Sequence, residues 1–98
     1  MARGSQRHIG RWIIIDVRQR TPSPAKLGIT VTKKYGDAHV RNRFKRIVRE
    51  AFRLSRSHFP DGLDILVKPR TMATEAMMQE IQQELIKLVE DYEKSRIT

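Results

Sequence analysis

Between Val40 and Phe52 the apolar side chains fall at Val40, Phe44, Ile47, Val48, Ala51 and Phe52, the spacing of a stripe down one side of an α-helix. At about 100° per residue, Arg41, Lys45, Arg46, Arg49, Arg53 and Arg56 lie on the opposite half. Tyr35, Gly36 and Asp37 supply a turn before this segment, and Pro60, Asp61 and Gly62 close it. A helix with one apolar and one cationic side is stable only if something covers the apolar side. The remainder of the chain must therefore provide a surface to receive it.

That surface reads as a small sheet. From Trp12 to Val17, the residues Ile13, Ile15 and Val17 alternate with Trp12, Ile14 and Asp16, which predicts a strand with one apolar and one mixed face. Leu27, Ile29 and Val31 alternate with Gly28, Thr30 and Thr32 in a second strand. The polar stretch from Arg18 to Ala25, with Pro22 and Pro24, predicts an exposed loop between them. Leu63 to Val67 predicts a short, largely buried strand ended by Pro69. Met78, Ile81, Leu85, Leu88 and Tyr92 then mark a second amphipathic helix starting near Thr74, with Thr74 as its cap and Glu75 at its positive end. The basic segment from Met1 to Ile9 is expected to be flexible. The whole predicts one α+β domain over residues 1–98, a two-layer sandwich of a small mixed sheet and two helices.

Charge narrows the class of partner. The chain holds 20 Lys and Arg against 11 Asp and Glu, a formal net charge of +9, which favours a polyanion. Residues 1–70 carry 17 of the basic and 5 of the acidic side chains, so the excess lies outside the last helix. Seven of the sixteen residues from Arg41 to Arg56 are basic and only Glu50 is acidic. Like charges on one helix face repel until a polyanion neutralises them. Arginine can grip phosphate through two hydrogen bonds or stack on a base, and the Asn42 amide can both donate and accept. Lys33 and Lys34 extend the positive surface towards the sheet. Trp12, on the mixed face with Ile14, Asp16 and Arg18, suits either stacking on a base or packing under a helix. Phe44, Phe52 and Phe59 fit the core.

Enzymatic chemistry finds little support. The chain has no cysteine, and His8, His39 and His58 are scattered without metal-ligand spacing. There is no glycine-rich phosphate loop, and Asp61 and Asp64 suit turn and strand-end roles better than a catalytic carboxylate pair. Neither a signal-peptide apolar region nor a run of ~20 apolar residues is present, which suits a soluble, cytoplasmic protein.

The run Lys33-Lys34-Tyr35-Gly36-Asp37-Ala38-His39-Val40-Arg41-Asn42-Arg43-Phe44-Lys45-Arg46-Ile47-Val48-Arg49-Glu50-Ala51-Phe52 resembles the signature of the bacterial ribonuclease P proteins. That family is known by an Arg-Asn-Arg helix after a Lys-Lys and Gly-x-Ala stretch, and the likeness continues more weakly upstream through Lys26 to Thr32. The resemblance implies a noncatalytic subunit that assembles with ribonuclease P RNA and helps it remove the 5′ leader of precursor transfer RNA. No catalytic residue, bound metal, cofactor or protein partner is implied for the chain itself, and magnesium is expected on the RNA. Lys33, Lys34, Arg41, Asn42, Arg43, Lys45, Arg46, Arg49 and Arg53 are then expected to face RNA. Trp12, Ile14, Asp16, Arg18, Thr30 and Thr32 are expected to form the sheet side of a groove for the leader. The family's other groove wall is an N-terminal aromatic helix, for which Met1 to Ile9 is too short and too basic. Phe44 stands where the signature usually has an aliphatic residue, and Asp16 places an acid where the groove is often aromatic, weakening phosphate contact locally. A left-handed strand-helix-strand crossover is also implied, against the right-handed default.

Two other classes suit the same charge. A ribosomal protein or general RNA chaperone would share fold and charge and differ only in lacking the signature. A sequence-reading DNA-binding module would need base-reading polar side chains on the helix, where Asn42 stands almost alone.

Overall fold

The alternating branched residues do form strands, and the computed structural model, which describes residues 5–19 and 23–97, places four of them in one sheet. These are β1 (Gln6–Ile9), β2 (Ile13–Gln19), β3 (Lys26–Ile29) and β4 (Leu63–Pro69), with α1 (Ala38–Leu54) between β3 and β4 and α2 (Met78–Ile97) last. Spatial order is β1-β2-β4-β3; only the β3/β4 pair is parallel, so α1 lies in a crossover between neighbouring strands. The expected α+β sandwich of a mixed sheet and two helices is the architecture found.

Register decides which side chains meet the helices. Ile13 pairs with Pro69, Ile15 with Val67, and Val17 with Ile65, so the β-branched residues of both central strands point the same way. Ile13, Ile15, Val17, Leu63, Ile65 and Val67 are all at most 1% exposed. Phe44, Val48, Ala51 and Phe52 from α1 and Ile81, Leu85, Leu88, Val89 and Tyr92 from α2 complete the core. Each fully buried aliphatic side chain contributes roughly 1.5–3 kcal/mol, enough in sum to oppose the like-charge repulsion along α1.

The helix ends follow local chemistry. Asp37 caps α1 as its carboxylate accepts from the Val40 N–H at 3.0 Å. At the other end Ser55 is fully buried, and its hydroxyl accepts from Gln82 Nε2 at 3.0 Å, joining α1 to α2. Gly62 follows Pro60 and Asp61 with φ 90°, a conformation that favours glycine, and leads directly into β4.

Several boundaries differ from expectation. Thr74 and Glu75 do not start α2 but belong to a 3-10 turn, Thr71–Glu75; the Glu80 carboxylate accepts from the Met77 N–H at 2.9 Å instead. β2 runs on to Gln19, so Arg18 is a strand residue and not part of a loop, while Pro22 falls outside the described residues. β3 stops at Ile29, although the Thr30 N–H still donates to the Val67 carbonyl at 3.0 Å.

The largest correction concerns residues 5–9. Residues 1–4 lie outside the described residues, but Gln6–Ile9 is no flexible tail: it is an edge strand paired antiparallel with β2. Its own sequence lacks an apolar alternation, and tertiary contacts hold it. His8 meets Tyr92 of α2 edge to face at 6.1 Å, and the Ser95 hydroxyl lies 3.0 Å from Gln6 Oε1. Gly10 turns the chain back, its N–H donating to the Ile13 carbonyl at 2.8 Å. Glu84 of α2 clamps that turn, accepting from the backbone N–H groups of Arg11, Trp12 and Ile13 at 2.5, 2.7 and 2.8 Å. A Cβ at position 10 would overlap the Glu84 carboxyl group, so a larger residue there would push the clamp aside. Trp12 therefore sits in the hairpin turn and not in a strand, half-buried against the core, with the Arg11 guanidinium 4.9 Å over its ring.

Candidate nucleic-acid interface

Both helices pack on one side of the sheet, which leaves two polar surfaces, the outer side of α1 and the uncovered sheet face. On α1, Asn42, Arg43, Arg46, Arg49 and Arg53 are exposed. Arg41 and Lys45 are half-buried at the margin of the packed side, so they lie closer to the core than the helical projection suggests. Arg41 Nε is shielded from solvent without a hydrogen-bond partner among the described residues. Asn42, Arg46, Arg49, Glu50 and Arg53 line a shallow groove along the helix. Glu50 hydrogen-bonds Arg53 Nε at 3.0 Å and Nη2 at 2.5 Å. That bidentate contact holds the Glu50 carboxyl below the usual carboxylate range and raises Arg53 further. Among the described residues no ion pair engages Arg43, Arg46 or Arg49.

Lys33 and Lys34 lie exposed in a 3-10 turn, Lys33–Tyr35, just ahead of α1. Tyr35 packs its ring on Phe44 at 5.6 Å; burial raises its phenol above the ordinary value, with Arg43 opposing. Lys34 and Tyr35 line a cleft with Thr30, Thr32, Lys68, Pro69 and Thr71, at the point where the sheet meets the start of α1.

The uncovered sheet face is built from alternate residues of all four strands. Arg7, Asp16, Leu66 and Gly28 form one cross-strand row, and Ile9, Ile14 and Lys68 form the next. Arg18 faces Asp64 directly in register and pairs with it at 3.2 Å. Arg7, Asp16, Arg18, Gly28, Asp64, Leu66 and Lys68 line a second cleft, and Lys68 borders both clefts.

A family profile described as Ribonuclease P matches residues 1–93, nearly the whole chain. The chain belongs to the ribonuclease P protein family. A ribonuclease P protein component from Chlamydia trachomatis is 56% identical over 54 residues, which is 55% of this chain and 44% of that relative. The chain thus spans less than half the length of that relative. One from Brevibacillus brevis is 34% identical over 84 residues, 86% of this chain and 67% of its own. Among solved structures, the ribonuclease P protein of Thermotoga maritima superposes with a TM-score of 0.80 at 30% identity, covering 87% of this chain and 81% of that one.

Within the ribonuclease P fold of this chain, the expected residues separate into groups. The α1 set stays together, whereas the sheet set divides: Asp16 and Arg18 share one cleft, Thr30 and Thr32 share the other with Lys34, and Trp12 stands apart at the hairpin turn. Arg7, Asp64, Leu66 and Lys68 were not anticipated as part of the surface. The last three were legible, since inward Leu63, Ile65 and Val67 oblige Asp64, Leu66 and Lys68 to point outward. Arg7 had no such signal. Among the described residues, no cluster of three His, Cys, Asp or Glu side chains is placed to hold a metal ion, and no helix is long and apolar enough to cross a membrane.

Proposed function

We propose that this chain is the protein subunit of ribonuclease P, binding the catalytic RNA through α1 and the 5′ leader of precursor transfer RNA on the uncovered sheet face. The observation that carries this reading is the row of Arg43, Arg46 and Arg49 on α1, which no ion pair engages among the described residues, in a chain of this family. Asn42, Arg46 and Arg49 present hydrogen-bond donors along one groove, where phosphate oxygens can accept from them. Each phosphate contact releases counterions, so binding falls steeply with salt. The chain supplies no nucleophile; it lowers repulsion between phosphates and holds the leader in place, and the hydrolytic chemistry would be supplied by magnesium ions held on the RNA partner. The cleft of Thr30, Thr32, Lys34, Tyr35, Lys68, Pro69 and Thr71 shares Lys68 with the sheet-face cleft and lies beside the turn that leads into α1.

The test is cleavage of a precursor transfer RNA by ribonuclease P RNA at low magnesium, with and without the protein. Stimulated cleavage at the mature 5′ end is expected. Tight, salt-sensitive binding to ribonuclease P RNA without stimulation would remove the leader-binding half of the proposal. No preference for that RNA over other structured RNAs would replace it with general RNA binding.

A further inference from the structure

Three cations, Arg7, Arg18 and Lys68, and two acids, Asp16 and Asp64, project from the uncovered sheet face, and the geometry takes some of those cations out of use. Asp16 lies on β2 with its side chain only 12% exposed. Its Oδ1 is 3.3 Å from Arg7 Nε, the residue opposite it on β1, and its Oδ2 is 3.7 Å from Lys68 Nζ on β4. Each carboxylate oxygen thus engages a cation from a different neighbouring strand. The Arg18–Asp64 pair repeats the pattern one step along. Between these charges the surface is apolar, made by Ile14, Leu66 and Gly28, where a Cβ would come within 3.2 Å of Leu66.

A carboxylate bound between two cations does what a phosphate would do there. It is carried by a central strand and lies largely buried between its two partners, so an arriving phosphate meets both a filled site and a like charge. From this we infer that Asp16 is a specificity-determining residue of the sheet face, an internal stand-in for phosphate that occupies Arg7 and Lys68. The face then takes single-stranded RNA through bases and sugars laid on Ile14 and Leu66, with shallow salt dependence, while tight phosphate binding is reserved to α1. The inference rests on the proposed role of this face as the seat of the leader.

The experiment measures fluorescence anisotropy of a short, unstructured oligoribonucleotide over a range of salt, with the parent, Asp16→Asn, Arg7→Gln and the double variant. Asp16→Asn should bind about 3–10-fold tighter at low salt, with a log–log salt slope steeper by roughly 0.7–1.4, as one or two phosphate contacts are gained. Arg7→Gln should change parent affinity by less than about twofold but should cancel most of the gain when added to Asp16→Asn, a non-additivity expected of directly coupled groups. An unchanged or weaker affinity and slope for Asp16→Asn overturns the inference. So does a tenfold loss from Arg7→Gln in the parent, a result that does not depend on the Asp16 variant folding. Binding of ribonuclease P RNA by the same four proteins is measured alongside: if the parent lacks it, the subunit reading fails, while the oligoribonucleotide series still decides the role of Asp16.

Discussion

The outer side of α1 and the uncovered face of the sheet are made from the same kinds of residue, but in different company. On α1, among the described residues, no ion pair engages Arg43, Arg46 or Arg49, and Glu50 engages Arg53. On the sheet, Arg7, Lys68 and Arg18 each lie within ion-pair distance of Asp16 or Asp64. Counting basic residues therefore says little about where phosphate binds. What matters is which cations fold structure has left unpaired, and here a helix exposes them while cross-strand neighbours in a sheet neutralise them.

The contrast can be broken at its support. The sheet face depends on a hairpin clamped by Glu84, whereas the α1 face depends on one helix. Glu84→Ala leaves three amides without their acceptor and should lower unfolding free energy by about 2–4 kcal/mol in urea denaturation. Below the melting range it should weaken oligoribonucleotide binding more than ribonuclease P RNA binding; equal losses would show that the two faces are not separately supported.

Removing charge from α1 is the next largest effect. Arg46→Ala combined with Arg49→Ala should weaken ribonuclease P RNA binding by about tenfold or more and flatten the salt slope by nearly two, at roughly 0.9 per lost phosphate contact. Thermal unfolding should hardly move, because both side chains are exposed. An unchanged slope would mean that RNA does not lie along this groove.

Glu50 offers the smallest and most pointed test. Glu50→Gln should raise RNA affinity about twofold at pH 7 by freeing Arg53. Because the folded-state carboxyl lies below its ordinary value of 4.5, the Glu50–Arg53 pair is present above that range and is lost only as pH falls through the depressed value. The difference between parent and variant should thus stay constant from pH 7 to about pH 5 and close in stronger acid. Closure already near pH 6 would contradict the assigned pairing.

Much of this arrangement was legible in the chain. The stripe from Val40 to Phe52, the Asp37 turn and the alternation in β2 each state a local period, and local periods survive folding. What was not legible depends on strand order. Asp16 was read as an acid in a groove, but its partners become visible only when β4 is placed beside β2 and β1 on the other side. β1 itself was missed because Gln6–Ile9 carries no periodic signal and is held by α2. The start of α2 was misplaced for a similar reason: Thr74 and Glu75 have capping chemistry, but the chain spends them on a 3-10 turn that seats Ala73 in the core.

The contacts that hold β1 also tie the first strand to the last helix. Its hairpin turn is held by Glu84, its His8 by Tyr92 and its Gln6 by Ser95, groups separated from their partners by 71 to 89 positions in the chain. β2 and β4 pair without any part of the final helix, whereas β1 is fastened by it. Among the four strands, the first in sequence is thus the one whose place depends on the last helix.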